Sequence, residues 1–262
     1  MASPDSLLVE QDAHVLLVTL NRPDAANSLN LPLLRRLAQV IGDLCITPRD
    51  VRCVVITGAG GKIFCGGGDM KERQVMTRDD LHEHRGLMEQ LIRNLQECPA
   101  PVIAAVSGTA VGGGCELVLA MDFAYGSENA RFSLPEVKLG MVPGGGATQT
   151  LPRASGVRRA KELILTGDMF SADEAMRWGL LNSIFPLPDL LPATLEVAHR
   201  IAGNAPLAVS GAKKAISVAA DTDLATGLRF ELQAHHRTAA TKDRAEGLRS
   251  LAEKRAPVFR GE

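Results

Sequence analysis

The chain has 262 residues, 45% of them hydrophobic, and a formal net charge of −1. That length can bury a substantial core, and the near-neutral charge excludes a general nucleic-acid or membrane-surface binder. Five cysteines without paired spacings point to a reducing compartment.

The opening "MASPDSLLVEQD" has no basic segment and no long apolar run, so it reads as neither a secretory signal nor a transit peptide. No stretch reaches the roughly 20 apolar residues of a membrane helix. The expected location is cytoplasmic. "HVLLVTL" (His14–Leu20), "VRCVVIT" (Val51–Thr57) and "VIAAV" (Val102–Val106) are short apolar runs rich in β-branched residues, which predicts buried strands. Helical patterns lie between them, at Leu31–Leu44 and Asp79–Glu97. Alternation of strand and helix predicts a parallel α/β core. After Leu187 the strand signals stop, and Leu190–Gly203, Leu207–Ala220 and Leu224–Arg255 read as helices. The expected organisation is an α/β core over residues 1–187 and a helical region over 188–262.

Glycine-rich stretches invite a nucleotide reading, and the spacing rejects it. In "GAGGKIF" (Gly58–Phe64) a P-loop would need glycine at Ile56 and Ser or Thr at Ile63. A G-x-G-x-x-G frame fails at Ile63 and, starting from Gly112, at Leu117. No serine sits in a G-x-S-x-G elbow. "HEH" (His82–His84) and "HH" (His235–His236) lie on predicted helices, where such close neighbours do not share a face, so no metal site is expected. Cys65 and Cys115, beside glycines, have two readings: nucleophiles, or small buried thiols that fill gaps.

Two other segments carry the chemistry. "KIFCGGGDMKE" (Lys62–Glu72) places Gly66–Gly68 beyond one predicted strand. "VIAAVSGTAVGGGCELVLAMD" places Gly112–Gly114 beyond another, with a helix starting near Cys115. Sites in α/β sheets gather beyond the carboxyl ends of strands. A helix start presents unsatisfied N–H groups, and glycine carries no Cβ to hold a ligand off. Two such turns side by side can aim two N–H groups at one oxygen, an oxyanion hole made of backbone. The alternative is that they are only tight turns. Glu116 follows in the first helical turn. Glu136 comes in "FSLPEVKLGMVPGGGATQTLPR". Alone, each has a bland reading, as a helix-dipole acid or a solvated loop acid. Together they can manage one water and one proton, because close carboxylates resist double ionisation.

At this point the residues resemble the crotonase (enoyl-CoA hydratase/isomerase) superfamily. The match is carried jointly by "VLLVTLNRPDAANSLN", "FCGGGDMKE", "AAVSGTAVGGGCELVLAMD", "FSLPEVKLGMVPGGGATQTLPRASG", "AKELILTGDMFSADEAMRWGLLNSIFP" and "TKDRAEGLRSLAEKRAPVFRGE". The resemblance implies an α/β crotonase (ClpP-like) fold of repeated β-β-α units with a C-terminal helical trimerisation region. It implies a homotrimer or a hexamer made of two trimers. It also implies an acyl-CoA thioester substrate and no cofactor beyond the coenzyme A that the substrate carries. By position in the motifs, the N–H groups of Gly68 and Gly113 form the oxyanion hole. Lys62, Gly66, Gly68, Asp69, Met70, Lys71 and Lys254 meet coenzyme A, although each lysine alone also reads as a solvated surface charge. Glu116 and Glu136 fall on the two catalytic positions of the hydratases, Glu116 handling water and Glu136 the proton at Cα. The implied reaction is reversible addition of water to a trans-2-enoyl-CoA. Other crotonase reactions remain as alternatives: methylglutaconyl-CoA hydration, enoyl-CoA isomerisation, carnitinyl-CoA dehydration and acyl-CoA hydrolysis. A further alternative is a non-enzymatic RNA-binding or assembly protein. The helix "LPLLRRLAQVIGDL" carries only Arg35 and Arg36 where RNA-binding relatives have a lysine stripe, so nucleic acid is not an expected partner.

Departures from the family pattern are Gly66-Gly67-Gly68-Asp69 for the usual Ala-Gly-Ala-Asp, Thr150 for arginine, Ala147 for glycine and Leu251 for phenylalanine. They bear on the acyl chain more than on the chemistry.

Overall fold

The computed structural model describes residues 6–48 and 50–262. Residues 1–5, part of the opening stretch read above as free of a leader, lie outside the described residues, as does Arg49. The chain begins with an antiparallel pair, β1 (Leu7–Asp12) and β2 (Val15–Leu20). Helix α1 (Leu31–Ile46) starts where the Asn30 side chain accepts from the Leu33 N–H, which satisfies one of the free donors of a helix start. Its Leu33, Leu34, Leu37, Ile41 and Leu44 form one buried face, the 3.6-residue period of an amphipathic helix.

Three β-β units follow. β3 (Cys53–Gly58) leads into the short β4 (Ile63–Cys65). The single turn α2 (Met70–Arg73) and the long α3 (Arg78–Glu97) come next. A reciprocal capping box between Thr77 and Asp80 starts α3, as Thr-x-x-Asp before an apolar periodicity should. β5 (Val102–Val106) and β6 (Thr109–Val111) run into α4 (Gly113–Ala120). β7 (Phe123–Ser127), β8 (Arg131–Ser133) and a 3₁₀ turn at Glu136–Leu139 precede α5 (Ala147–Ser155) and α6 (Val157–Thr166). β9 (Phe170–Ser171), α7 (Ala172–Arg177) and β10 (Ser183–Phe185) complete the strands. Then come α8 (Leu187–Ala202), α9 (Pro206–Ala219), α10 (Leu224–Ala239) and α11 (Lys242–Glu253).

The long strands form a six-stranded sheet in the order β1-β2-β3-β5-β7-β10, parallel from β2 onward. The short strands form a second sheet, β4-β6-β8-β9. This is the repeated β-β-α plan expected from the resemblance. Alternation along β3 shows how the core is divided. Val54 and Ile56 face a core shared with α1 and α3, while Cys53 and Val55 face one shared with Leu190, Ala198 and Ala202 of α8. Both faces are covered, so the strand reads as one unbroken apolar run. Each fully buried Leu, Ile or Val contributes about 1.5–3 kcal/mol.

One helix reads differently in the structure. The stretch Leu224–Arg255 breaks into α10 and α11, because the Thr241 hydroxyl accepts from the Arg244 N–H and starts a new helix.

Candidate active site

The two glycine turns leave the short sheet side by side, after β4 and after β6. Gly67 has φ +82° and Gly112 φ +53°, backbone that glycine alone adopts at little cost. A Cβ on Gly67 would stand 2.7 Å from the Val111 carbonyl oxygen, and one on Gly112 would stand 2.8 Å from Glu136 Oε1. The bare backbone is therefore what lets the turns pack on one another and on a carboxylate. Most of the remaining backbone of these turns is tied down: Gly66 N–H donates to the Ala26 carbonyl, Leu29 N–H to the Gly67 carbonyl, and Gly112 N–H to the Ser133 carbonyl. Among the described residues the N–H groups of Gly68 and Gly113 have no acceptor.

Gly66, Gly68, Met70, Gly113, Glu116 and Glu136 all line one cavity of about 480 Å³. Sequence reasoning placed each of these in the site, and the structure brings them together. Asp69 does not line the cavity. It caps α2, accepting from the N–H groups of Lys71 and Glu72, and pairs with Arg22 at 3.0 Å. Burial pushes its carboxyl up, but the arginine and the helix donors outweigh that and hold it below the ordinary range. Lys62, Lys71 and Lys254 are exposed and outside the cavity wall.

The two glutamates occupy different environments. Glu116 is 5% exposed, and its Oε1 accepts from Gly145 N–H at 2.6 Å and Ala147 N–H at 3.3 Å. These donors belong to the start of α5, whose dipole favours a negative charge there. The contact is possible because residue 145 has no side chain: a Cβ there would stand 2.6 Å from Glu116 Oε2. Burial raises the Glu116 pKa and the Glu136 charge adds to that, against the two backbone donors and Arg73. Glu136 follows Pro135 in the 3₁₀ turn. Its Oε2 is buried without a partner among the described residues, and burial raises its pKa too. One carboxylate is held by donors, and its neighbour carries an unmet acceptor that a proton would satisfy.

Several lining residues were not picked out in the sequence. Leu81, His84, Arg85 and Met88 present one face of α3 to the cavity, and Arg73 reaches it from α2. The helical spacing of the α3 residues was the available signal; Arg73 had none. Burial lowers the His84 pKa, so the ring is neutral at pH 7 and its Nε2–H faces the Leu29 carbonyl at 3.2 Å. Cys65 and Cys115 are wholly buried. Burial pushes the Cys65 thiol up to about 12 and raises that of Cys115 as well, so these are packing thiols rather than nucleophiles.

The enoyl-CoA hydratase/isomerase family model matches residues 10–262. The short-chain-enoyl-CoA hydratase of Clostridium acetobutylicum is 39% identical over 251 residues, which is 96% of each chain. The 2,3-dehydroadipyl-CoA hydratase of Escherichia coli is 40% identical over 256 residues, 97% of this chain and 98% of that one. The crystal structure of an enoyl-CoA hydratase from Bacillus anthracis superimposes with a TM-score of 0.95 at 43% identity, covering 98% of this chain and 100% of that one. With its two glycine turns, its paired glutamates and a match along nearly its whole length, the chain belongs to the enoyl-CoA hydratase/isomerase family of the crotonase superfamily.

Proposed function

We propose that this chain is an enoyl-CoA hydratase, a carbon–oxygen lyase that adds water reversibly across the double bond of a trans-2-enoyl-CoA, and that Glu116 and Glu136 share the chemistry. The observation that carries the reading is one cavity holding two differently solvated carboxylates and two unpaired backbone N–H groups. Gly68 and Gly113 donate to the thioester oxygen, which gains charge as the enolate forms. Glu116, whose ionised form the Gly145 and Ala147 N–H groups favour against burial, takes a proton from water as the water oxygen bonds to Cβ. Glu136, whose carboxyl burial pushes above its ordinary pKa, gives a proton to Cα. Water is consumed whole: its hydroxyl ends on Cβ, and the two glutamates exchange the balance of one proton. Coenzyme A belongs to the substrate, and no other cofactor is needed for this step.

Hydration destroys the conjugated enone, so loss of its absorbance with crotonyl-CoA tests the reading directly. Persistent absorbance across chain lengths and branched substrates would refute it. The relatives' names span a short-chain acyl group and a dicarboxylic one, so the family leaves the acyl class open.

We further propose assembly into a homotrimer or a dimer of trimers through the C-terminal helices. α9 and α10 pack on each other, yet neither buries a residue fully, and Leu207, Ile216, Leu224, Leu228 and Leu232 stay exposed. Sedimentation at micromolar concentration checks this; a monomer would overturn it. The five cysteines are free thiols, in keeping with the cytoplasm. Among the described residues no helix is long and apolar enough to cross a membrane.

A further inference from the structure

Arg73 has no step in the chemistry just described, yet it stands among the residues that do. It ends α2, is half-buried, and lines the same cavity as Glu116 and Glu136. Its guanidinium lies over Gly68: a Cβ built on that glycine would stand 2.6 Å from Arg73 Nη2 and 2.7 Å from Cζ. The alanine usual at this position would take that space, and glycine leaves it to the guanidinium. Among the described residues the side chain makes no hydrogen bond and no close ion pair, so its charge is not committed to one partner. It acts instead on Glu116 and on Glu136, holding each carboxyl lower than burial alone would. The other groups near it do not take this part. Glu72, beside it on α2, accepts from the Leu31 N–H, and Asp69 is held by Arg22. On α3 the His84 ring is neutral at pH 7, because burial lowers its pKa, and Arg85 is exposed. Cys115 on α4 is a thiol kept protonated by burial and by the two glutamate charges.

The reaction gives this cation a task. One negative charge travels through the site. It sits on Glu116 in the free enzyme. It moves to the thioester oxygen once Glu116 has taken the water proton and the hydroxyl has joined Cβ. It ends on Glu136 after that residue has protonated Cα. A buried charge is costly unless it is paired. A guanidinium over Gly68 is close to the oxygen that Gly68 is proposed to bind, and it acts on both glutamates as well, so one fixed cation offsets the cost at every stage.

We propose that Arg73 is a positioning residue: its cation over Gly68 is the shared counter-charge of the reacting site, and it fixes the pH range over which the two glutamates can take and give a proton. This rests on the hydratase reading above and adds the residue that tunes it. The Gly145 and Ala147 donors make the two glutamates unequal, whereas Arg73 moves both in the same direction.

The test is the pH profile of kcat/KM for crotonyl-CoA in the wild type, R73M and R73K, each full-length. Glu116 works ionised and sets the acid limb, while Glu136 works protonated and sets the alkaline limb. Removing the cation disfavours the ionised form of both, so the whole bell of R73M should move to higher pH. On the acid limb kcat/KM should fall about 10-fold or more, the effect of losing one opposite charge nearby. R73K keeps a charge without the planar fork, and its bell should stay near the wild-type position. A folded R73M whose bell drops in height without moving would overturn the proposal, because Arg73 would then serve only the substrate or the fold. So would a folded R73K whose bell departs from the wild-type position, and that arm stands even if R73M fails to fold. A second readout needs no turnover. In urea unfolding, R73M should lose stability relative to the wild type as pH rises from acid, where both glutamates are neutral, toward neutral pH. A stability gap that does not change with pH would overturn the proposal. A wild type that hydrates no enoyl-CoA, with a gap that still grows with pH, would sink the hydratase reading and keep the coupling of Arg73 to the glutamates. A wild type that hydrates crotonyl-CoA, with an R73M bell that has not moved, would sink this inference alone.

Discussion

Replacing Glu136 with methionine should make the protein more stable and leave it nearly inactive. Among the described residues Glu136 Oε2 is buried without a hydrogen-bond partner, and burial raises the pKa of the carboxyl. An unmet buried acceptor costs about 1–3 kcal/mol. Methionine has similar length and no acceptor to satisfy, and it adapts its shape to irregular gaps. The Glu136→Met variant should therefore gain about 1–3 kcal/mol in denaturant unfolding, or roughly 2–4 °C in Tm for each kcal/mol at this chain length. The pH dependence has a definite sign. A carboxyl with a raised folded pKa binds more protons folded than unfolded, between its ordinary and its raised value. Wild-type stability falls as pH rises through that window and then levels off. The variant should lose the Glu136 share of this slope and keep the Glu116 share, so its advantage grows from acid toward neutral pH. Turnover should fall about 10²–10⁴-fold with the proton donor gone. Unfolding at several pH values and enone absorbance are the two assays. A variant no more stable than wild type at neutral pH would show that the carboxylate is not strained in the free enzyme. Retained turnover would show that it does not carry the proton.

Gly113→Pro should keep its fold, because Gly113 is the first residue of α4, where proline is at home. Its turnover should fall about 10²–10³-fold through loss of one oxyanion donor; a folded variant with normal turnover would remove Gly113 from the mechanism. Gly68→Ala keeps its N–H, and its new Cβ meets only the end of the flexible Arg73 side chain. Crotonyl-CoA turnover should stay within a small factor, and a folded but inactive variant would count against the placement of the turn. Gly145→Ala drives a Cβ to within 2.6 Å of Glu116 Oε2 and 3.0 Å of Met88 Cε. Displacing a catalytic group by about 1 Å costs about 10²-fold, so kcat should drop with little change in KM, and unchanged kcat would mean that Glu116 need not be held where it is.

How much of this was legible depended on how local each signal is. β5 was readable to the residue, and β3 nearly so, because every position in both strands is buried and the apolar run coincides with the strand. β1 was not read, since its last four residues are exposed and it lies at the sheet edge, paired with β2 and packed on the core only through Leu7. The second sheet escaped notice for a different reason. Its strands are two or three residues long, too short to show any period. The break after α10 was signalled by Thr241 followed by Asp243, a helix start overridden by the apolar pattern on both sides. In the site, Gly66–Gly68, Gly112–Gly114 and the two glutamates were legible because triple glycine is costly in ordered backbone and invites an explanation. Gly145 was not, because it acts on Glu116, far away in the chain; Arg73 was not, because in the sequence it reads as one more charge on a single helical turn, and only the fold lays its guanidinium over Gly68.

The same distinction explains how two glutamates come to have separate tasks. Nothing in their side chains separates them, and burial raises the pKa of both. What separates them is backbone supplied from elsewhere. Glu116 receives two N–H groups from the start of α5, which favours its ionised form. Glu136 Oε2 receives none, so protonation relieves it. The asymmetry costs the protein a glycine at 145, where any side chain would collide with the carboxylate, and it leaves Glu136 with a buried oxygen unmet in the free protein. An enzyme that must take a proton from water while giving one to carbon needs that inequality before substrate arrives. Folding supplies it through main-chain atoms, whose positions are fixed by the two sheets and the start of a helix, and no third titratable group is required to set it.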